Sequence, residues 1–205
     1  MKEISPENFQ RTYLTKLFTE KKQVLDIGGG LRIARPNADR ILSNQGWLED
    51  LATKVDYKVM NPVPDYGADI IGDIHKMPFP DNSQEAIICS AVLEHVEDPF
   101  LAVSEIYRTL KPGGYCYAFV PFLYYYHVPK SGEYKDYWRF TEDGTRRLFR
   151  HFKTLDISVG RGALETWFHL NPATQKFTKL AARFDRLLGK SQTKQTSGYS
   201  VFLVK

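Results

Sequence analysis

No run of about 18 consecutive apolar residues occurs in this 205-residue chain, so no transmembrane segment is expected. The opening stretch MKEISPENFQRTYL lacks the charged, apolar and small-residue zones of a secretory leader, which points to a soluble, cytoplasmic protein. Cysteine is scarce. Cys89 and Cys116 both stand in apolar runs that read as strands, where a free thiol packs as a small hydrophobe. They support neither a disulfide framework nor a metal site, and no bound metal is expected. Neither sign of charge dominates the whole, at a formal net charge of +4. The two parts differ, however: residues 1–120 carry 13 Lys and Arg against 17 Asp and Glu, and residues 121–205 carry 15 against 7. A basic second half suits an anionic substrate, a nucleic acid or a membrane surface, but its charges are scattered as on a solvated face. No stable nucleic-acid partner is expected from them.

What is present is apolar material for one substantial core. With 42% of residues hydrophobic and 14% aromatic, this length fits one α/β domain over residues 1–205. Short runs rich in β-branched residues, at 23–27, 54–57, 69–72, 86–90, 115–120, 154–159 and 199–204, alternate with longer segments of helical character. Seven strands are predicted, most of them parallel, with helices on both faces. Pro99 opens a stretch in which Leu101, Val103, Ile106, Tyr107 and Leu110 recur at helical spacing, and Lys111-Pro112-Gly113-Gly114 stops it. Residues 1–22 read as an N-terminal helical segment and 121–150 as a loop and helix after the fifth strand. Residues 161–198 read as an insertion between the last two strands, helical over 173–188 and polar over 189–198.

The first strand ends Val24-Leu25-Asp26-Ile27 and runs into Gly28-Gly29-Gly30, three residues without Cβ where the backbone must turn and admit a ligand. A nicotinamide-type fingerprint would require a small residue where Ile33 stands and no acid at position 26. Asp26 repels a phosphate and attracts the ammonium of an amino-acid moiety. Asp56, taken as the end of the second strand, can accept from both hydroxyls of a ribose. After the third strand, Asp73 can accept from an adenine amino group while the Ile74 amide donates to a ring nitrogen. Acids at the carboxyl ends of successive strands line the crevice where open α/β sheets bind ligands.

From Val24 to Pro121, through VLDIGGG, VDY, GDIHKMPFPDNS, CSAVLEHVEDP and EIYRTLKPGG, the sequence resembles the class I S-adenosylmethionine-dependent methyltransferases, in particular the ubiquinone-biosynthesis type group. The resemblance implies a Rossmann-like sheet of order 3-2-1-4-5-7-6 with the last strand antiparallel, and S-adenosyl-L-methionine as cofactor. By position it assigns Asp26, Gly28, Gly29 and Gly30 to the methionine side, Asp56 to the ribose, Asp73 and Ile74 to the adenine, and Ser90 to the methionine moiety.

Beyond the fifth strand, PFLYYYH and DYWRFT gather aromatics, a histidine, an acid and an arginine where the acceptor approaches in that family. Tyr126, Tyr137, Trp138 and Arg139 are the substrate-binding candidates. His127, His95 and Asp136 are the catalytic ones, because imidazole suits removal of a hydroxyl proton near neutral pH. The competing reading makes Tyr137, Trp138 and Phe140 a core cap and pairs Arg139 with Asp136 or Asp143. The expected activity is methylation of a small molecule, at oxygen, on a sugar, lipid-linked or other anionic metabolite. A non-catalytic methyltransferase-like binding module and an RNA or protein methyltransferase are the alternatives. Oligomeric state is not written in the sequence.

Overall fold

The computed structural model describes residues 6–29, 46–64, 68–128 and 134–205. Gly30 and Ile33 lie outside the described residues. The chain begins with α1 (Pro6–Glu20) and β1 (Gln23–Ile27), then α2 (Gly46–Ala52), β2 (Asp56–Asn61), β3 (Ile70–Ile71), β4 (Gln84–Ser90), α3 (Pro99–Thr109) and β5 (Leu110–Pro121). It continues through α4 (Glu142–Leu148), β6 (Thr154–Val159), α5 (Ala163–Leu170), α6 (Thr178–Leu187) and β7 (Gly198–Val204). The seven strands form one sheet in the order β3-β2-β1-β4-β5-β7-β6. Strands β1 to β5 pair in parallel, and β7 runs antiparallel to both β5 and β6. The expected strand count and order, with an antiparallel last strand, are all present. No helix among the described residues is long and apolar enough to cross a membrane.

The pleat sends alternate side chains of β1 to opposite faces. Val24 packs with Leu14, Leu17 and Phe18 of α1, Leu48 of α2 and Tyr117 of β5. Leu25 and Ile27 pack with Ala102, Val103 and Ile106 of α3 and Leu148 of α4 on the other face. Each fully buried aliphatic or aromatic side chain of this kind contributes about 1.5–3 kcal/mol. Helix α3 starts where Asp98 accepts from the amides of Phe100 and Leu101, at 2.9 and 3.0 Å, with Pro99 in the first turn where no amide is needed. Its inward stripe is Ala102, Val103, Ile106 and Thr109. Leu101, expected on that face, is 46% exposed, and Leu110 has already left the helix to open β5.

Two predicted boundaries are corrected. The second strand does not begin at Lys54, because the amides of Lys54 and Val55 donate back to Leu51 and Ala52 and close α2 in a turn. Strand β2 therefore starts at Asp56 and runs to Asn61. In the 161–198 segment a second helix, α5, precedes the expected one. Its first amides, at Leu164 and Glu165, donate to the Asp185 carboxylate of α6 at 3.0 and 2.8 Å, so the cap comes from another helix.

Candidate active site

The carboxyl ends of β1 to β5 form the edge from which the candidate residues project. Past β1 the backbone turns through Gly28 and Gly29, at φ of +77° and +60°. The Gly28 amide donates to the Met60 carbonyl at 2.8 Å, which pins the turn to the end of β2. A Cβ on Gly28 would stand 2.7 Å from Cγ2 of Val92, so the turn is pressed against the segment that follows β4. Asp26 is fully buried beneath this turn, and its carboxylate accepts from the Tyr57 hydroxyl at 2.5 Å. Beyond β3, Asp73 lies at the same edge. Its Oδ1 accepts from the His75 amide at 2.9 Å and sits 2.8 Å from Nδ1 of His75. These bonds, that from the amide foremost, hold its carboxyl below the ordinary value. Ile74 is buried in the core beside it.

Asp56 is a correction. It pairs with Gln23, whereas Met60 pairs with Ile27, so Asp56 opens β2 at the amino edge of the sheet. Four residues of strand, about 13 Å, separate it from the level of the glycine turn. It is exposed and lies 3.6 Å from Lys58, and it cannot serve the ribose site assigned to it. Asn61 occupies the carboxyl end of β2 instead.

Ser90 ends β4, and Ala91 follows at φ of +54°, a strained value for a residue with a Cβ. Its amide donates to Phe119 of β5 at 3.0 Å, which fixes the turn. Strain at this point, between the cofactor edge and the acceptor segment, has no signature in the letters Ser-Ala-Val.

The one-turn helix Leu93–His95 comes next. Its backbone carbonyl at Glu94 accepts from the amides of Tyr137 and Trp138, at 2.7 and 3.2 Å, and Trp138 Nε1 donates to the Val96 carbonyl at 2.9 Å. The DYWRFT segment is thereby stapled onto LEHV. Arg139 binds Asp136 through both terminal nitrogens and donates to the carbonyls of Tyr124, Tyr125 and Trp138. The Asp136 carboxylate also accepts from the His127 amide at 2.8 Å. Burial pushes the Asp136 carboxyl up, but Arg139 and the His127 amide together outweigh it, and the net direction is down.

This geometry sorts the acceptor-loop candidates. His95 and His127 are brought together, with ring centroids 4.9 Å apart. Asp136 and Arg139 are consumed in holding the loop, so Arg139 is not a free cation for an anionic substrate, and of the two partners the competing reading offered it takes Asp136 and not Asp143. Phe140 is buried as a core cap, whereas Tyr137 and Trp138 are partly exposed and Tyr126 is 69% exposed.

Sequence reasoning missed Glu94. Its side chain is 0% exposed, and neither carboxylate oxygen has a hydrogen-bond partner among the described residues. Burial pushes its carboxyl up to about 8. Nε2 of His95 and Nε2 of His127 each lie 3.8 Å from its Oε1. Burial also lowers the pKa of His95. The only signal in the sequence was an acid next to His95 in LEHV.

A family model described as a methyltransferase domain matches residues 25–118. Over 73 residues the chain is 37% identical to the ubiquinone/menaquinone biosynthesis C-methyltransferase UbiE of Desulfotalea psychrophila, covering 29% of this chain and 30% of that protein. Over 102 residues it is 31% identical to the protein of the same description from Vibrio campbellii, covering 45% and 39%. The match spans less than two-fifths of the length of either curated relative. A SAM-dependent methyltransferase from Archaeoglobus fulgidus superposes with a TM-score of 0.60 at 14% identity, over 98% of this chain and 92% of that one. The phosphoethanolamine N-methyltransferase 2 of Haemonchus contortus, in complex with phosphomonomethylethanolamine and S-adenosylhomocysteine, does so at 0.50 and 14% identity, over 98% and 53%.

Sheet order and glycine turn together define a Rossmann-like α/β fold, in which ligands bind at the carboxyl ends of the strands. More particularly, residues 25–118 match a methyltransferase domain, and the fold is the one shared by S-adenosylmethionine-dependent methyltransferases of known structure. The turn fits S-adenosylmethionine, because two successive glycines at positive φ leave the backbone there without side chains, as close approach of a cofactor requires.

Proposed function

We propose that residues 1–205 act as one domain that methylates a small-molecule acceptor at oxygen, the acceptor being a sugar, a lipid-linked compound or another metabolite bearing negative charge. In this reading Gly28, Gly29 and Ser90 line the methionine side, and Asp26 orders it from below through Tyr57. Asp73 and Ile74 receive the adenine. The cofactor supplies a methyl group on a sulfonium, and displacement from sulfur is in line, so alignment of the acceptor dominates the catalysis.

The observation that carries the reading is the placement of Glu94, His95 and His127 immediately past the β4 turn. There they can take the proton of an acceptor hydroxyl. Asp136 and Arg139 position His127 and the aromatic loop. Partly exposed Tyr137 and Trp138, with Tyr126, offer faces for the acceptor or for the sulfonium charge, the latter contributing about 0.5–2 kcal/mol. The free, buried thiols of Cys89 and Cys116 suit a reducing, cytoplasmic setting.

Carbon is the second reading for the methylated atom, favoured by the C-methyltransferase activity for which the relatives 31–37% identical over part of this chain are named. In the test, S-adenosylhomocysteine should raise the melting temperature where NAD does not, and methyl-13C-labelled S-adenosylmethionine is then incubated with fractionated metabolite extracts. A methoxy resonance in the labelled product supports oxygen, a C-methyl resonance supports carbon, and stabilisation by NAD alone overturns the cofactor site.

A further inference from the structure

We propose that Glu94, His95 and His127 form a binding site for a divalent first-row transition-metal ion, through Oε1 of Glu94 and Nε2 of each histidine. This departs from the sequence expectation of no metal. The three ligand atoms lie within 4.8 Å of one another, and both carboxylate-to-imidazole separations are 3.8 Å. Metal–ligand bonds of about 2.0–2.2 Å put neighbouring ligand atoms about 3–3.6 Å apart, so small side-chain rotations close the site.

The outer contacts of the histidines point the same way. Nδ1 of His95 lies 2.6 Å from the Lys135 carbonyl. Nδ1 of His127 lies 3.2 Å from the Tyr125 carbonyl and 3.5 Å from Asp136 Oδ2. A carbonyl only accepts, so each Nδ1 carries the proton and each Nε2 turns a bare lone pair toward the Glu94 carboxylate. Orientation of a ligating imidazole by a carbonyl or carboxylate on its far nitrogen is the usual outer arrangement of a metal site.

Glu94 supplies the independent observation. A buried carboxylate is costly unless it is hydrogen-bonded, paired or bound to a metal, and both of its oxygens lack hydrogen-bond partners among the described residues. Its backbone is held rigid by the Tyr137 and Trp138 amides, so the side chain is presented rather than merely trapped. A carboxylate with two imidazoles suits iron, manganese, cobalt or zinc and leaves coordination positions open. On the reading of the chain as an O-methyltransferase, an open position would take the acceptor oxygen and acidify its hydroxyl, whose proton would then leave to solvent while the three side chains serve as ligands and not as the base.

The test uses the full chain, dialysed against a chelator and titrated calorimetrically with Zn2+, and separately with Co2+ under visible absorption. Expected are stoichiometric binding in the wild type and a Co2+ d–d band, with binding lost in His127→Ala and His95→Ala. Asp136→Asn, which alters only an outer contact, should weaken affinity about 10–100-fold. Glu94→Gln keeps the side-chain shape and removes the charge, so loss of binding in this folded variant, verified by circular dichroism, separates ligation from misfolding. Failure of the wild type to bind either ion, or unchanged affinity in His127→Ala and Glu94→Gln, overturns the site and leaves a proton shared among the three side chains. S-adenosylhomocysteine binding to the metal-free protein is measured in parallel. Its retention without metal binding defeats the metal site alone, and its absence beside intact metal binding defeats the methyltransferase reading instead.

Discussion

Asp56 pairs with Gln23 at the amino ends of β2 and β1, on the side of the sheet away from the glycine turn. Asp73 follows β3 at the opposite, carboxyl edge. Replacement of Asp56 by alanine is therefore expected to leave the S-adenosylhomocysteine affinity unchanged. Asp73→Ala removes a charged acceptor proposed for the adenine, worth about 1.5–3 kcal/mol, and should weaken binding roughly 10- to 100-fold. Calorimetry on both variants checks the pair, and a large loss in Asp56→Ala would contradict the register.

Gly28→Ala introduces a Cβ 2.7 Å from the Val92 side chain at a φ of +77°. Steric and backbone strain together should cost about 1–3 kcal/mol. For a domain of this size that lowers the melting temperature by about 2–4 °C per kcal/mol. Cofactor affinity should fall as well. Adding Val92→Ala should restore part of the stability, because it removes the collision and not the φ, and a double variant no better than the single one would show that the backbone term alone matters.

Arg139 ties Asp136 to three backbone carbonyls of the acceptor loop. Lysine keeps the charge but not the planar fork that makes these bonds simultaneously. Arg139→Lys is expected to lower turnover and stability together, with a loss of about 1.5–3 kcal/mol. The affinity for S-adenosylhomocysteine, bound at the glycine turn, should stay near that of the wild type. Denaturation and calorimetry on the same preparation separate the two effects.

His169 packs against the rings of Tyr124 and Tyr125, and burial, aided by Arg161, lowers its pKa from the ordinary 6.5 to about 4. A depressed folded value means that the unfolded chain takes up the proton first as pH falls. The stabilising contribution is complete above about pH 6.5 and is lost between there and about pH 4. Melting temperatures recorded across this window should fall more steeply for the wild type than for His169→Leu. Parallel curves would show that His169 is protonated without penalty.

The sheet was legible wherever local signals and tertiary packing agreed. Strands β1 and β6 fall on the predicted residues, and Asp98 with Pro99 marks the start of α3 because its capping groups are adjacent in sequence. Strand β2 was misplaced because 54–57 and the following Val59 and Met60 are both strand-like, and only the closing turn of α2 decides between them. Helix α5 escaped notice because its first amides are capped by Asp185, a residue about twenty positions downstream that no local window can see. Among site residues, Asp26 lies near the carboxyl end of β1, Gly28 just past it and Asp73 just past β3. Glu94 was invisible for a different reason. Acids beside histidines are ordinary on surfaces, and only the docking of Tyr137 and Trp138 onto its carbonyl encloses this one.

Strand β6 touches the rest of the sheet solely through β7, which lies between it and β5. During synthesis β6 emerges, then the α5–α6 hairpin, and until β7 arrives β5 is paired only with β4 and β6 has no strand neighbour. The nascent chain must wait at a five-stranded sheet whose β5 flank is an open template for foreign strands. That waiting stage, rather than the finished enzyme, is where a chaperone would have most to protect.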